Sequence, residues 1–393
     1  MTVPVERIDT EERRARLARR HRLVPEVRGE TPVEAACAVV VLHSTDPVTV
    51  YLSTWARTRD FAIGDLERAL YEDRALVRML GMRRTLFVVP RALVPVIDAA
   101  CTQTVAARER RKLEAFVAQS GVAADPGRWI DRVSAAALRA LAARGEASTS
   151  ELTRDDPLLA TRLRLGIGTR WEAEVSAASR ILLLLAAEGR VVRGRPRGTW
   201  ISSQYRWTTI DALGPLPAVG PREARADLLR LWLESFGPGT ETDIRWWTGW
   251  TAREAREALA DVPHALVGLA EGPGLVLAGD TGPTVPVEPW AALLPALDPT
   301  VMGWKDRDWY LGPHTGQLFD TNGNAGPTVW WEGRIVGGWT QRADGEVVYR
   351  ILEDAGREAE AAVSAEAERL SAWFAGACVT PRFPTPLHRE LAG

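Results

Sequence analysis

The chain has 393 residues, enough for roughly two to four domains, and its 46% hydrophobic and 25% charged content is that of a folded globular protein. Its 49 basic and 51 acidic residues give a formal charge of -2, which excludes overall attraction to nucleic acid, so any such surface must be a local basic face. Apolar runs stop short of a membrane span, the N-terminus lacks a signal-peptide core, and the widely spaced Cys37, Cys101 and Cys378 suit neither a disulfide framework nor a zinc site, so a cytoplasmic protein without a membrane partner is expected.

In chain order, a polar helix begins at about Thr10. Thr31-Pro32-Val33-Glu34 places a hydroxyl at an N-cap, proline at the first helical position and a carboxylate at the third, a capping box that predicts a helix from Val33 to Leu42, ending near His43. Asp46-Pro47 repeats that pattern and launches a helix from Val48 to Arg57 with Val48, Tyr51, Leu52 and Trp55 on one face. His43-Ser44-Thr45-Asp46 is then a short, sharply bent junction between two helices. A helix from Ile63 to Glu72 follows. Arg78-Met79-Leu80 and Arg84 to Val89, turning at Gly81 and ended by Pro90, form a hairpin wing.

Helices from Ala92 to about Arg111 and from Pro126 to Arg144 read as an insert. The capping box Ser148-Thr149-Ser150-Glu151 opens a second passage, with a long helix from Arg170 to Glu188. Its wing is Arg190 to Arg193, a tip Gly194-Arg195-Pro196-Arg197-Gly198, and Thr199-Trp200-Ile201. Arg193, Arg195 and Arg197 make this the most DNA-like surface in the chain. A third passage runs from Pro221 to Phe236, then through capping boxes at Thr240 to Asp243 and Thr251 to Glu254, with Thr248-Gly249-Trp250 between their helices. Its hairpin, Ala265 to Leu269 with Leu275 to Ala278, has an acidic tip that suits a structural role or a face turned from phosphate. Strands are then predicted at Trp309 to Leu311, Gln317 to Asp320, Thr328 to Trp331, Arg334 to Gln341 and Val347 to Ile351, before a helix from about Gly356 to Ala375.

These passages predict an α+β protein with three tandem winged helix-turn-helix units around a C-shaped body and a small C-terminal β-barrel-like domain. The boundaries fall at 1–92 for the first unit and its polar junction, 93–214 for the insert and second unit, 215–285 for the third, and 286–393 for the β-domain with its helix.

Several passages resemble the bacterial tandem winged-helix DNA glycosylases of the AlkZ and YcaQ type, which unhook interstrand crosslinks and remove bulky N7-alkylated purines. They are Leu76-Val77-Arg78 with Met82-Arg83-Arg84-Thr85-Leu86-Phe87; Tyr205-Arg206-Trp207; Leu293 to Asp298 with Trp304-Lys305-Asp306-Arg307; and Gly326-Pro327-Thr328-Val329 with Gly333-Arg334-Ile335-Val336-Gly337. The resemblance implies a monofunctional DNA glycosylase acting as a monomer on double-stranded DNA that carries alkylated purines, with no metal, flavin or nucleotide cofactor. In that family the catalytic element is a glutamine, an aliphatic residue, then glutamine or aspartate. By position it falls on His43-Ser44-Thr45, followed by Asp46, so this chain departs from the pattern at every motif position.

Hydrolysis of an N7-alkylguanine nucleotide needs little leaving-group protonation, because the base already carries positive charge and departs neutral. The protein must supply a positioned water and stabilise the sugar cation. On this reading His43 accepts the water's proton, Thr45 orients the water and Asp46 stabilises the cation. Each also has an ordinary structural role: His43 complements a helix C-terminus, Thr45 is a turn residue and Asp46 is an N-cap. The expected DNA contacts are Arg83, Arg84, Arg193, Arg195, Arg197, and His314 and Asn322 in a groove-probing or plain surface loop. Asp306 and Arg307 read as a structural ion pair. Most of the sixteen tryptophans read as core, with one or two left for base stacking. The competing reading is a winged-helix DNA-binding protein without catalysis, either a regulator or a relative that has lost its glutamines; a protein-binding scaffold is the third.

Overall fold

The structure, a computed structural model, describes residues 6–170 and 172–393. The chain is α+β and divides into two compact units, Met1–Ala69 with Arg225–Gly393, and Leu70–Ala224.

The first unit opens with α1 (Thr10–Arg20), capped by Asp9, whose carboxylate accepts the Glu12 amide at 2.8 Å. Next comes α2 (Pro32–Ala38), capped by Thr31. This helix stops four residues before the predicted end. Val39-Val40-Val41 is a β-branched run unfavourable to helix, and Val40 sits at φ +63°, a left-handed conformation that no helix can continue through. α3 (Pro47–Arg57) is buried along its whole length.

The second unit holds the hairpin β1 (Leu76–Leu80) and β2 (Leu86–Pro90), paired from Leu76↔Pro90 to Leu80↔Leu86. Short turns of mixed helix type lead from Pro90 into α4 (Gln103–Gln119), and α5 (Pro126–Arg144) has the predicted bounds. The predicted helix from Arg170 is shorter, α6 (Ala177–Ala187), because residues 173–176 pair as a strand with residues 162–165. β3 (Val191–Pro196) and β4 (Tyr205–Thr209) form the second wing, which joins β1 through Arg78↔Arg193. Arg195 and Pro196 thus lie in the strand, and the tip is residues 197–204. Val133, Ile181, Leu185 and Trp207 centre this unit's core.

Returning to the first unit, α7 (Pro221–Phe236) leads in, and α8 (Glu241–Thr248) and α9 (Ala252–Asp261) both start at the predicted capping boxes. The hairpin β5 (His264–Leu269) and β6 (Gly272–Leu277) follows. The last sheet is antiparallel in the order β7 (Ala291–Leu294), β8 (Thr328–Trp331), β9 (Arg334–Gln341), β10 (Val347–Ile351), and α10 (Gly356–Phe374) packs on it. Two predicted strands are helical instead, at Asp308–Leu311 and Thr315–Leu318, while β7 and the final α11 (Pro386–Ala392) were unforeseen. Trp309 and Tyr310 close edge-on at 4.8 Å within an aromatic cluster that also holds Trp304 and Trp330, and that packing outweighs their strand propensity. Most of the described tryptophans are buried, as expected of core residues.

A polar stripe fixes α3. Thr49, Ser53 and Arg57 recur at the helical period, and all three bind the loop that follows β7. Thr49 Oγ1 donates to the Ala296 carbonyl at 2.7 Å and Ser53 Oγ to Asp298 Oδ2 at 2.6 Å. Arg57 forks onto Asp298 at 2.9 and 2.6 Å, both side chains being 0% exposed, and donates to Thr300 Oγ1 at 2.7 Å. His21, the C-cap of α1, lies 2.8 Å from that hydroxyl through Nδ1 and 3.1 Å from the Ser235 carbonyl through Nε2. A carbonyl only accepts, so Nε2 carries the proton and the Thr300 hydroxyl donates to Nδ1.

Burial, then the nearby Arg57 charge, pull the His21 pKa from 6.5 to about 3, against smaller opposing effects of Asp298 and the Ser235 carbonyl. The fold therefore carries a neutral histidine. Above pH 6.5 both folded and unfolded chains are neutral there; below it the unfolded chain takes up a proton that the folded chain refuses until about pH 3. Stability is expected to fall over that window, by about 2 kcal/mol at pH 5 from this residue alone. Urea unfolding at pH 7 and pH 5 checks this: in His21→Gln the pH-dependent loss shrinks by that amount, and an unchanged loss would exclude His21 as its source.

Candidate active site at the His43–Asp46 junction

After α2 ends at Ala38, the chain passes the left-handed Val40, extends through Leu42 and His43, bends at Thr45-Asp46 and enters α3. His43 is therefore not at a helix C-terminus, and the dipole role expected for it falls away. His43, Ser44 and Asp46 are buried and Thr45 is half-buried. The Thr45 amide donates to His43 Nδ1 at 3.4 Å, a long bond that makes Nδ1 the acceptor and leaves the proton of the neutral ring on Nε2.

Asp46 is the N-cap of α3: Oδ1 accepts the Val48 amide at 3.1 Å. Oδ2 accepts the backbone amide of Arg382 at 2.9 Å, and the Arg382 guanidinium donates to the Thr45 carbonyl at 3.1 Å. Burial pushes the Asp46 carboxyl above the usual carboxylate range, against the opposing pull of the Arg382 and Val48 amides and of the Arg382 charge. Each oxygen keeps a further lone pair. The residue borders a narrow, largely apolar recess with Val48, Leu52, Pro295, Trp339 and Pro381. The arrangement can accept a proton at a carboxylate, donate one from an imidazole and hold an adjacent hydroxyl. Sequence reasoning missed Arg382, which sits in the tail after α10 with no periodic or motif signal of its own.

The other predicted residues scatter. In the first unit, His314 is buried, with Nε2 3.1 Å from Glu353 Oε2, which removes it from any groove-probing role. Asn322 is exposed on a turn that Asp320 braces by accepting the Asn322 and Asn324 amides. Arg307 lies over the Trp246 and Phe319 rings, 5.1 Å from each centroid, rather than pairing with Asp306. In the second unit, Arg83 and Arg84 are exposed at the β1–β2 turn with φ of 52° and 62°, and Arg84 pairs with Glu109 at 3.0 Å. Arg193 is half-buried on the sheet, 3.9 Å from the Trp207 ring centroid and 5.6 Å from that of Tyr205, and burial pulls its pKa down to about 10. Arg195, two residues on, pairs with Glu72 at 3.2 Å and lies 5.0 Å from the Tyr71 ring centroid. Arg197 is exposed at the start of the tip. The wing thus presents one stacked, one paired and one solvated arginine.

Among the described residues no group of three or more His, Cys, Asp or Glu is placed to hold a metal ion, and no helix is long and apolar enough to cross a membrane.

Residues 37–373 match the family described as DNA glycosylase AlkZ-like. Among solved structures, the Streptomyces sahachiroi DNA glycosylase AlkZ is similar with a TM-score of 0.71 and 19% identity, over 93% of this chain and 97% of that one, a likeness that shows the fold. No curated protein matches the chain.

Proposed function

Because the chain belongs to the AlkZ-like family of DNA glycosylases, we propose that it hydrolyses the N-glycosidic bond of bulky or crosslinked N-alkylpurines of the N7-alkylguanine type in double-stranded DNA. Water attacks C1′ as the bond from C1′ to N9 breaks, and the cationic base leaves neutral with the bonding electrons. Asp46 takes the water's proton and its charge stabilises the sugar cation; a pKa raised toward the working range suits both tasks. His43 differs here from the sequence-based role. With Nδ1 engaged by the Thr45 amide, the neutral ring serves as an Nε2–H donor to the water, and the Thr45 hydroxyl completes its orientation.

The observation that carries this reading is the Asp46 carboxylate, buried and held by two backbone amides directly after the three residues that fall on the family's motif by position. Arg83, Arg84, Arg193, Arg195 and Arg197 supply phosphate contacts and Asn322 a further one, the protein acts as a monomer in the cytoplasm, and the reaction requires no cofactor. The division at residues 92, 214 and 285 into three winged-helix units and a β-domain belongs to the same reading.

The test is release of free base from duplex DNA carrying N7-alkylguanine, followed by chromatography. Release above the uncatalysed rate is expected. Salt-dependent binding without release would instead favour the non-catalytic DNA-binding reading, for which the absence of the family glutamines speaks.

A further inference from the structure

The tail between α10 and α11 forms a strap whose one end is tied to the sheet. Gln341, at the end of β9 and buried, accepts the Val379 amide at 2.8 Å through Oε1. Through Nε2 it donates to the carbonyls of Ala377 and Gly345 at 2.9 and 3.0 Å. The strap then reaches the junction, where the Arg382 amide meets Asp46 Oδ2 and the Arg382 guanidinium meets the Thr45 carbonyl. Capping alone does not call for this. Asp46 already caps α3 through Oδ1, and an N-cap needs one such bond.

We propose that Arg382 is a positioning residue that fixes the Thr45-Asp46 peptide and holds its charge beside the Asp46 carboxylate, an inference that rests on the catalytic reading of the junction. The Arg382 amide holds the carboxylate and its guanidinium holds the carbonyl that precedes Asp46, so one residue steadies both the side chain and the backbone from which it springs. The charge that bears on Asp46 is that of Arg382 from the strap, beside the Val48 amide of α3, while α3, the loop after β7 and the end of β9 bring the neutral Thr49, Ala296, Thr340 and Gln341 to the same recess. Arg382 is exposed and donates to a neutral carbonyl, so its loss costs the fold little.

The test compares wild type, Arg382→Ala and Arg382→Lys in two measurements. The Asp46 carboxyl is titrated by carbon NMR in aspartate-labelled protein, with Asp46→Asn assigning the signal, and base release is measured from alkylated duplex DNA. In Arg382→Ala the titration is expected to move to higher pH and kcat to fall about tenfold to a hundredfold, with KM and the salt dependence of binding unchanged. Arg382→Lys, which keeps the charge and loses the planar guanidinium that meets the Thr45 carbonyl, is expected to restore the titration more fully than kcat. An unmoved titration in Arg382→Ala overturns the proposal, as does a loss confined to KM with a shallower salt slope, which would make Arg382 a phosphate contact. If the wild type releases no base, the proposed function falls while the titration still decides the role of Arg382.

Discussion

The double substitution His43→Ala with Asp46→Asn is expected to lower the rate of base release by at least about a hundredfold, because it removes both the proton acceptor and the donor that holds the water. Asparagine is as good an N-cap as aspartate, so the cap bond to the Val48 amide survives the change while the bond from the Arg382 amide is lost. The thermal midpoint should therefore fall by less than in a variant that loses the cap bond as well. Loss of rate with the cap bond retained separates chemistry from capping, the ordinary role that Asp46 also has. Asp46→Ala serves as the contrast: it removes both and should cost about 1 kcal/mol of stability besides the activity. In the wild type the rate should fall as pH drops through the Asp46 pKa, and because burial raises that value, the fall begins at higher pH than for an exposed carboxylate. Unchanged release by the double variant would remove the junction from the mechanism.

Asp298→Ala is expected to reduce the free energy of unfolding by about 3–5 kcal/mol, the cost of leaving a buried guanidinium without its partner. Arg57 and Asp298 are both fully buried, and the carboxylate also accepts from Ser53 and from the Thr300 amide. Burial pushes the Asp298 carboxyl up, but Arg57, the Ser53 hydroxyl and the Thr300 amide together hold it below its usual value. A depressed folded pKa means that this contribution is complete above the ordinary value of 3.8 and is lost as pH falls through the lower folded value. The loss thus sets in at lower pH than that from His21, so acid unfolding has two separable sources. Urea titration of Asp298→Ala at neutral pH measures the first figure. Replacing both partners with apolar residues of similar volume should cost far less than Asp298→Ala, since no charge is then stranded.

Much of the fold was legible because its signals are local. The caps at Thr31, Asp46, Ser148, Thr240 and Thr251 each act within three residues, and all five accept the predicted kind of amide bond. The misplaced elements depend on partners far along the chain. Residues 173–176 extend a helical pattern but pair with residues 162–165, with Arg162 meeting Glu174 at 2.7 Å. β7 reads as Ala-Ala-Leu-Leu, good helix formers, and is a strand because both of its faces are buried beside β8. At the junction, residue identity and location were legible from the cap and from resemblance, whereas the tautomer of His43 and the clamp on Asp46 were not. Both depend on contacts that no spacing rule encodes.

The sequence distances across the junction bear on the order in which it can form during synthesis. Asp46 waits for a bond from Arg382, 336 positions later, and Arg57 for one from Asp298, 241 positions later. A ribosome adding about 5–20 residues each second leaves α3 without its permanent partners for tens of seconds, with the whole second unit made in the interval. The second unit has its own core and can close first, since the strand pairs among its own described residues span only residues 76–209. The junction is thereby among the last parts of the nascent chain to be assembled, and a half-made protein would hold its arginine-bearing wing before the Thr45-Asp46 turn is tied down.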